Sequence, residues 1–404
     1  LVTIYKNKTF KILNNIYGRL NLMKKILSLL IASSIIAVGI TSSSLQASAS
    51  MKNVTRITWE HAGDLEAQNG FDKNIGVAGV LSGILDNKYV VVGGGANFPY
   101  DTVLNGGQKK TYSDLYLLEK NNGKLVVKEH TNLPNEIAYG SSVTTNKGIY
   151  YIGGSTNKDA ANDITLITLD ESNKLKYEKV GDLPFTLSNG IAAEYNGKLY
   201  IGLGSQNGKD STKLYEYDLK TNEIKELASL TEKSSMNQCV AQILNGNLYV
   251  FSGGGSIANT DGYKYDISSN TWSKVSNVKL GDKEISLYGA NSVKLNEDEM
   301  LVIGGFDKAV YDNAVYNLGS LKGDELAKFR QNYFGADPYE FNWNKEILVY
   351  NCKSDSWTSL GQVPFDAPCG EGLVLLDENI FSINGEIKPG IRTNRMYSGN
   401  LLNK

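Results

Sequence analysis

Apolar positions recur along this chain in short bursts, not along long helical faces. Six bursts end in small or glycine-rich residues: KYVVVGGG (88–95), GIYYIGGS (148–155), KLYIGLGS (198–205), NLYVFSGGG (247–255), EMLVIGGF (299–306) and NIFSINGE (379–386). Runs of this length, rich in Val, Ile, Leu and Tyr, predict buried strands. Before each lies a strand of smaller residues: GVAGVLSGIL (76–85), AYGSSVTTN (138–146), NGIAAEYN (189–196), NQCVAQILN (237–245), YGANSVKLN (288–296) and CGEGLVLLD (369–377). Tight turns such as Asn196-Gly197 and Asn245-Gly246 join the two. A third, aromatic or apolar strand follows, as in LYEYDL (214–219) and GYKYDI (262–267), and a fourth comes after a polar turn, as in SSNTWSKV (268–275) and KSDSWTSL (353–360).

The bursts step by roughly 50 to 60 residues, with a last interval of about 80, close to the period of kelch repeats, in which each repeat is one four-stranded propeller blade. The expected fold is therefore all-β, a six-bladed kelch-type β-propeller. The small-residue strands suit a crowded hub, and Trp272 and Trp357 read as core residues between blades. The sixth repeat ends at its third strand, RMYSGNLL (395–402), and the segment TRITWEHAGDL (55–65) carries the missing pattern, with Trp59 in the place of Trp272 and Trp357. The N-terminal strand is expected to close the ring, which removes unpaired edges. The fifth repeat carries a long insert, with a helix expected over LKGDELAKFRQNYF (321–334).

Charge changes the picture at the N-terminus. Residues 1–49 hold six basic and no acidic side chains, so the remainder carries 35 basic and 43 acidic ones, a formal net charge of −8. That balance argues against a nucleic-acid partner. From Met23, a basic start (Lys24, Lys25), an apolar run from Ile26 to Ile40 and Ala47-Ser48-Ala49 match a secretory signal peptide, short for a stable membrane anchor. The expected division is 1–22 as an upstream segment, 23–49 as signal peptide and 50–404 as one propeller domain, exported to a periplasm or secreted. Cys239, Cys352 and Cys369 are odd in number and widely spaced, which is not a disulfide framework. The two histidines, His61 and His130, fall in outer strands, which speaks against histidine catalysis and against a copper site built from His and Tyr.

Connections from second to third strands are long and variable, and fourth-to-first connections such as LPNEIAYG (133–140) and VPFDAPCG (363–370) reach the same face. Function concentrates on loops held by a rigid scaffold. On that face the loop NGEIKPGIRT (384–393) brings Glu386, at the end of a second strand, and Arg392 together around a Pro389-Gly390 turn. Taken alone, such a pair is either a loop salt bridge or a functional couple.

NGEIKPGIRT resembles a signature of the bacterial N-acetylneuraminate epimerase (sialic acid mutarotase) family. Also similar are LPFTLSNGIAAEYNGKLYIGLGS (183–205), NGNLYVFSGGG (245–255), NYFGADPYEFNWNK (332–345) and GGGANFPYD (93–101), in a different order, as in a cyclically permuted mutarotase. The resemblance covers about residues 55–404. It implies a six-bladed propeller acting on a small-molecule sugar acid, with Glu386 and Arg392 as the catalytic pair and no metal, redox group or nucleotide cofactor. Asn97, Gln238, Tyr288 and Tyr333 are candidate substrate-binding residues. Glu371 departs from the family pattern, placing a carboxylate where a small residue is usual. A glycan- or protein-binding propeller without catalysis remains the alternative. N-terminal sequencing of the exported protein is expected to find a start near Ser50; a start well upstream of Ile40 refutes the leader.

Overall fold

The computed structural model describes residues 54–403; the upstream segment and the leader lie outside them. Six four-stranded antiparallel sheets follow one another along the chain. The first runs through Ala78–Leu85, Tyr89–Asn97, Asp114–Asn121 and Lys124–Asn132, with Lys110–Thr111 as an added short strand. The second holds Ser141–Thr145, Gly148–Ile152, Asp163–Leu169 and Leu175–Asp182. The third holds Ile191–Tyr195, Lys198–Gly202, Leu214–Asp218 and Ile224–Glu226; the fourth Val240–Leu244, Asn247–Phe251, Gly262–Asp266 and Thr271–Val275. The fifth has Asn291–Lys294, Glu299–Ile303, Glu346–Asn351 and Ser356–Gln362. The sixth joins Gly372–Leu376, Asn379–Ile383 and Arg395–Asn403 to the N-terminal Val54–Asp64. That last pairing is antiparallel, with Trp59 opposite Gly399 and His61 opposite Tyr397.

The first strands of successive sheets are neighbours, and that of the sixth sheet neighbours that of the first. At the entry to each of these strands stands a residue in the left-handed region: Gly79, Tyr139, Asn189, Gln238, Gly289 and Gly370. Their main chains are linked in sequence. Tyr139 N–H donates to Gly79 O (2.9 Å), Asn189 to Tyr139 (2.9 Å), Gln238 to Asn189 (2.9 Å), Gly289 to Gln238 (3.2 Å), Gly370 to Gly289 (3.0 Å) and Gly79 to Gly370 (2.8 Å). Six apolar clusters fill the spaces between neighbouring sheets. Trp357 meets Phe251 edge-on in one of them, and Trp59 meets Phe365 in another, as expected of core tryptophans. Trp272 is half-buried against Tyr265, and its indole N–H donates to Ala228 O at 2.7 Å. Cys239 and Cys369 are buried and all three cysteines are free thiols.

The glycines ending the bursts have a steric reason. A Cβ on Gly153 would sit 2.3 Å from Leu187 O, and one on Gly304 2.2 Å from Pro368 O. The chain of the next sheet passes where a side chain would be. The fifth-sheet insert contains two helices, α1 (Lys308–Ser320) and α2 (Gly323–Gly335). Sequence pattern predicts only α2, because α1 is built of weak helix formers such as Asp312, Asn313, Asn317 and Gly319. It is started by Asp307, whose side chain accepts from Val310 N–H.

Gly304→Ala combines positive φ with a backbone clash and is expected to cost roughly 2–4 kcal/mol in urea unfolding. Gly281→Ala, also at positive φ but with open space around it, is expected to cost about 1 kcal/mol. Equal losses would contradict the packing account.

Candidate functional site

Glu386 does not end a second strand, as the sequence suggested. That strand stops at Ile383, and Glu386–Lys388 forms a separate small hairpin with Ile391–Arg392, closed by the Pro389-Gly390 turn. Glu386 is opposite Arg392 in register. The hairpin is tied to the hub: Cys369 and Glu386 exchange two main-chain hydrogen bonds of 2.8 Å, and Gly370, next in the chain, belongs to the six-residue linkage described above. Gly390 requires its left-handed φ of 84°, and a Cβ there would strike Val103 at 2.5 Å.

Both partners are withdrawn from solvent, Glu386 at 0% exposure and Arg392 at 7%. Arg392 Nη1 lies 3.2 Å from Glu386 Oε1, which also accepts a 2.6 Å hydrogen bond from Gly390 N–H. The ion pair is poorly satisfied for one so buried. Glu386 Oε2 and the Nε, Nη1 and Nη2 atoms of Arg392 have no aligned hydrogen-bond partner. Burial raises the Glu386 pKa above the ordinary carboxylate range, against the opposing pull of Arg392, Gly390 N–H and Lys109. The guanidinium stacks 4.8 Å over the Phe98 ring. Unpaired polar atoms at this depth are costly in a finished core, and their concentration here makes the pair the candidate site for a polar ligand.

Residues from other sheets complete the walls. Tyr139 projects from its left-handed position with its hydroxyl buried and without an aligned partner; burial raises its pKa, and the adjacent Arg392 works against that. Lys109, from the long loop of the first sheet, places its ammonium 4.7 Å from the centre of the Tyr139 ring. Of the sequence candidates, Tyr333 on α2 feels the pair: burial raises its pKa, and the charge of Glu386 adds to the effect. Gln238 is one of the six left-handed hub residues and is buried. Asn97 is committed elsewhere. Its amide donates to Ile75 O (2.9 Å) and Gly76 O (2.8 Å), and its Oδ1 accepts from Phe98 N–H. It thereby fixes the backbone of the ring that carries Arg392. Tyr288 is packed with Phe306 and Tyr311, its pKa pushed by burial to about 12, and Gly289 beside it occupies the hub position.

Glu371 is fully buried; burial pushes its pKa to about 8, and Asn291 Nδ2 donates to its main-chain oxygen at 2.7 Å. Lys109, Tyr139 and Phe98 were not nominated from sequence. Aligning the six small-residue strands would have found Tyr139, which stands where Asn189 and Gln238 stand. His61 is exposed beside Asp64, and His130 pairs with Asp114 and Glu66 in the outer strands.

A family model described as N-acetylneuraminate epimerase matches residues 21–176 and 180–404. The chain belongs to the N-acetylneuraminate epimerase family. Curated family members resemble it over part of their length. An N-acetylneuraminate epimerase of Salmonella arizonae is 34% identical over 227 residues, 54% of this chain and 57% of that protein. Another, of Yersinia enterocolitica, is 30% identical over 249 residues, 58% of this chain and 62% of the relative. The matched stretches thus span less than two thirds of these family members. A solved structure titled "Structure of YjhT" is 25% identical, with a TM-score of 0.49, covering 55% of this chain and 65% of that one.

The α2 helix is held to the family-motif hairpin by Lys388, whose ammonium donates to Ala336 O (2.5 Å) and reaches Phe334 O (3.4 Å). Lys388→Met removes a charged donor from these carbonyls, a change of about 1–3 kcal/mol. Faster amide hydrogen exchange confined to α2 and the residues just after it is expected. Unchanged exchange there would show that the clamp contributes nothing.

Proposed function

We propose that this protein is an isomerase that interconverts the α and β anomers of N-acetylneuraminate by acid–base ring opening. The observation that carries the reading is the buried Glu386–Arg392 pair with unfilled hydrogen-bonding capacity, placed by the motif NGEIKPGIRT in a chain of this family. The six sheets then act as the blades of a closed kelch-type propeller. The sequential main-chain linkage at the hub and the pairing of Val54–Asp64 with Arg395–Asn403 support that architecture. In the same reading residues 50–404 are one exported domain, released from the leader.

The substrate class is a 2-keto sugar acid whose anomeric carbon carries both a hydroxyl and a carboxylate. Arg392 offers a planar donor fork to the carboxylate. Glu386, held above ordinary carboxylate pKa values by burial, takes the proton of the anomeric hydroxyl. The carbon–oxygen bond of the ring then breaks, the open-chain ketone turns, and reclosure on the other face returns the protons. In this reading Gln238 and Tyr333 take the remaining hydroxyl and N-acetyl groups.

Proton NMR of freshly released α-sialic acid, against a pH-matched control without protein, tests this. Glu386→Gln is expected to remove about 100- to 10,000-fold of the acceleration without unfolding the protein. Arg392→Lys is expected to act mainly through weaker binding, because Lys keeps the charge and loses the fork. Wild-type activity in the Glu386 variant refutes the base assignment. A wild-type protein that binds sialic acid without accelerating its conversion leaves the glycan-binding propeller as the better account.

A further inference from the structure

Ring opening needs a second proton transfer, because the ring oxygen must be protonated as it leaves. Glu386 cannot serve both atoms at once, and Arg392 does not release protons in proteins. Within the site walls the remaining titratable groups are few. Tyr139 and Tyr333 are both raised by burial, away from neutrality. Lys388 is spent on the carbonyls of Phe334 and Ala336. Glu371 lies beneath the hairpin, its Cβ 3.0 Å from where a Cβ on Gly385 would stand. Lys109 is different in each respect. It comes from a connection on the candidate face, between Tyr89–Asn97 and Asp114–Asn121, and that loop is anchored on both sides. Lys110–Thr111 pairs with Ala96–Asn97, and Thr111 N–H donates to Asn157 Oδ1 at 2.8 Å. Its neighbour Lys110 turns away to the Tyr100 ring. Among the described residues the Lys109 ammonium has no ion-pair partner; it rests on the face of Tyr139, beside Arg392.

We propose that Lys109 is the second proton-transfer group of this site, giving its ammonium proton to the ring oxygen of the sugar acid while Glu386 takes the proton of the anomeric hydroxyl. The inference rests on the isomerase reading above and supplies the group that reading lacks. The balance closes. The O–H bond of the anomeric hydroxyl breaks to Glu386 and its electrons form the carbonyl. The carbon–oxygen ring bond breaks toward the ring oxygen, which takes the proton from Lys109. Reclosure runs the same steps backwards on the opposite face, and both residues regain their starting states. Burial and the charge of Arg392 lower Lys109 to about 8, opposed by Glu386, so a proton can leave and return near neutrality. With Arg392 it also gives the pocket two cations against one carboxylate, which suits a monoanionic substrate.

The sign of the pH dependence follows. The active form has Lys109 protonated, so turnover is expected to fall as pH rises through about 8. Glu371 also ionises near 8, so wild-type titration alone does not identify the group. The test compares Lys109→Met and Lys109→Arg with wild type by NMR rates of anomer conversion across the alkaline range, with the uncatalysed rate subtracted at each pH. Both variants are expected to lose about 100-fold or more in kcat, with KM changed far less, and to lose the alkaline limb of kcat at saturating substrate. Lys109→Arg keeps the positive charge, so it remains decisive even if the Met variant folds poorly. Wild-type kcat in Lys109→Arg overturns the proposal, because charge alone would then suffice. An alkaline limb of kcat at saturating substrate that survives in both variants also overturns it and assigns that limb to Glu371. A wild-type protein without any acceleration overturns the isomerase reading itself, and this inference with it, an outcome separable from the other two by the wild-type rate.

Discussion

Each innermost strand enters its sheet through a left-handed residue whose N–H reaches the carbonyl of its counterpart one sheet back. This contact demands that six backbones approach one another closely, and the consequences spread outward. Small residues are needed in the strands that follow. Glycine is needed at Gly153 and Gly304, where the next sheet's chain passes within contact distance of the α-carbon. Bulk is displaced to the intersheet spaces, where Tyr, Phe and Trp fill the widening gaps. A left-handed conformation costs a non-glycine residue roughly 1 kcal/mol or more. Three of the six positions nevertheless carry Tyr139, Asn189 and Gln238, side by side on consecutive sheets. Strain tolerated where glycine would be easier is a mark of side chains held for use, and Tyr139 borders the Glu386–Arg392 pair.

The candidate site inherits its rigidity from that hub. The Glu386 hairpin is hydrogen-bonded to Cys369, one residue from the hub carbonyl of Gly370. Phe98, under the guanidinium, is positioned by Asn97, which spends its amide on Ile75 and Gly76. The result is a preorganised ion pair with spare donors and one spare acceptor oxygen. A buried pair of this kind is a poor source of stability, since desolvation offsets much of its attraction. In the proposed reading its organisation serves a carboxylate ligand, which meets donors that are already desolvated.

The repeat made most of the fold legible. Strand ends were placed to within a few residues, because the alternation of small, apolar and polar-turn segments is imposed by the hub, the intersheet space and the solvent in turn. The pairing of Val54–Asp64 with Arg395–Asn403 was legible for the same reason: Trp59 fits the intersheet slot used by Trp357. The insert was less so. Helix α1, KAVYDNAVYNLGS, is rich in Asn, Asp, Val and Gly, weak helix formers, whereas α2 carries Glu, Leu, Ala, Lys, Arg and Gln. The Glu386–Arg392 pair could be read because both residues lie within one hairpin. Tyr139 is legible as a hub residue from the alignment of the small-residue strands, whereas Lys109 is not legible as a neighbour of the pair, because its proximity depends on how separate sheets meet, which local spacing does not encode.

Glu371 shows how the same physics bears on charge. A carboxylate inserted beside the hub would be expected to cancel one of the two cations and weaken the pocket's attraction for an acid. Its complete burial prevents this. Desolvation outweighs the main-chain and Asn291 hydrogen bonds that favour the charged form, and moves its pKa to about 8. At neutral pH the group is then largely a neutral acid, and the pocket above it keeps Lys109 and Arg392 against Glu386 alone. Raising the pH through about 8 reverses both terms together: Glu371 gains a negative charge as Lys109 loses its positive one. In the isomerase reading, the attraction of the pocket for an anionic substrate weakens over this alkaline interval. The stability that Glu371 takes part in follows a different window. Its folded pKa lies above the unfolded value, so its contribution is complete below the ordinary carboxylate range and is lost progressively up to about 8, where the folded protein too gives up the proton. The same buried carboxyl thus bears on folding between the ordinary carboxylate range and about 8, and on the charge beneath the pocket only near 8.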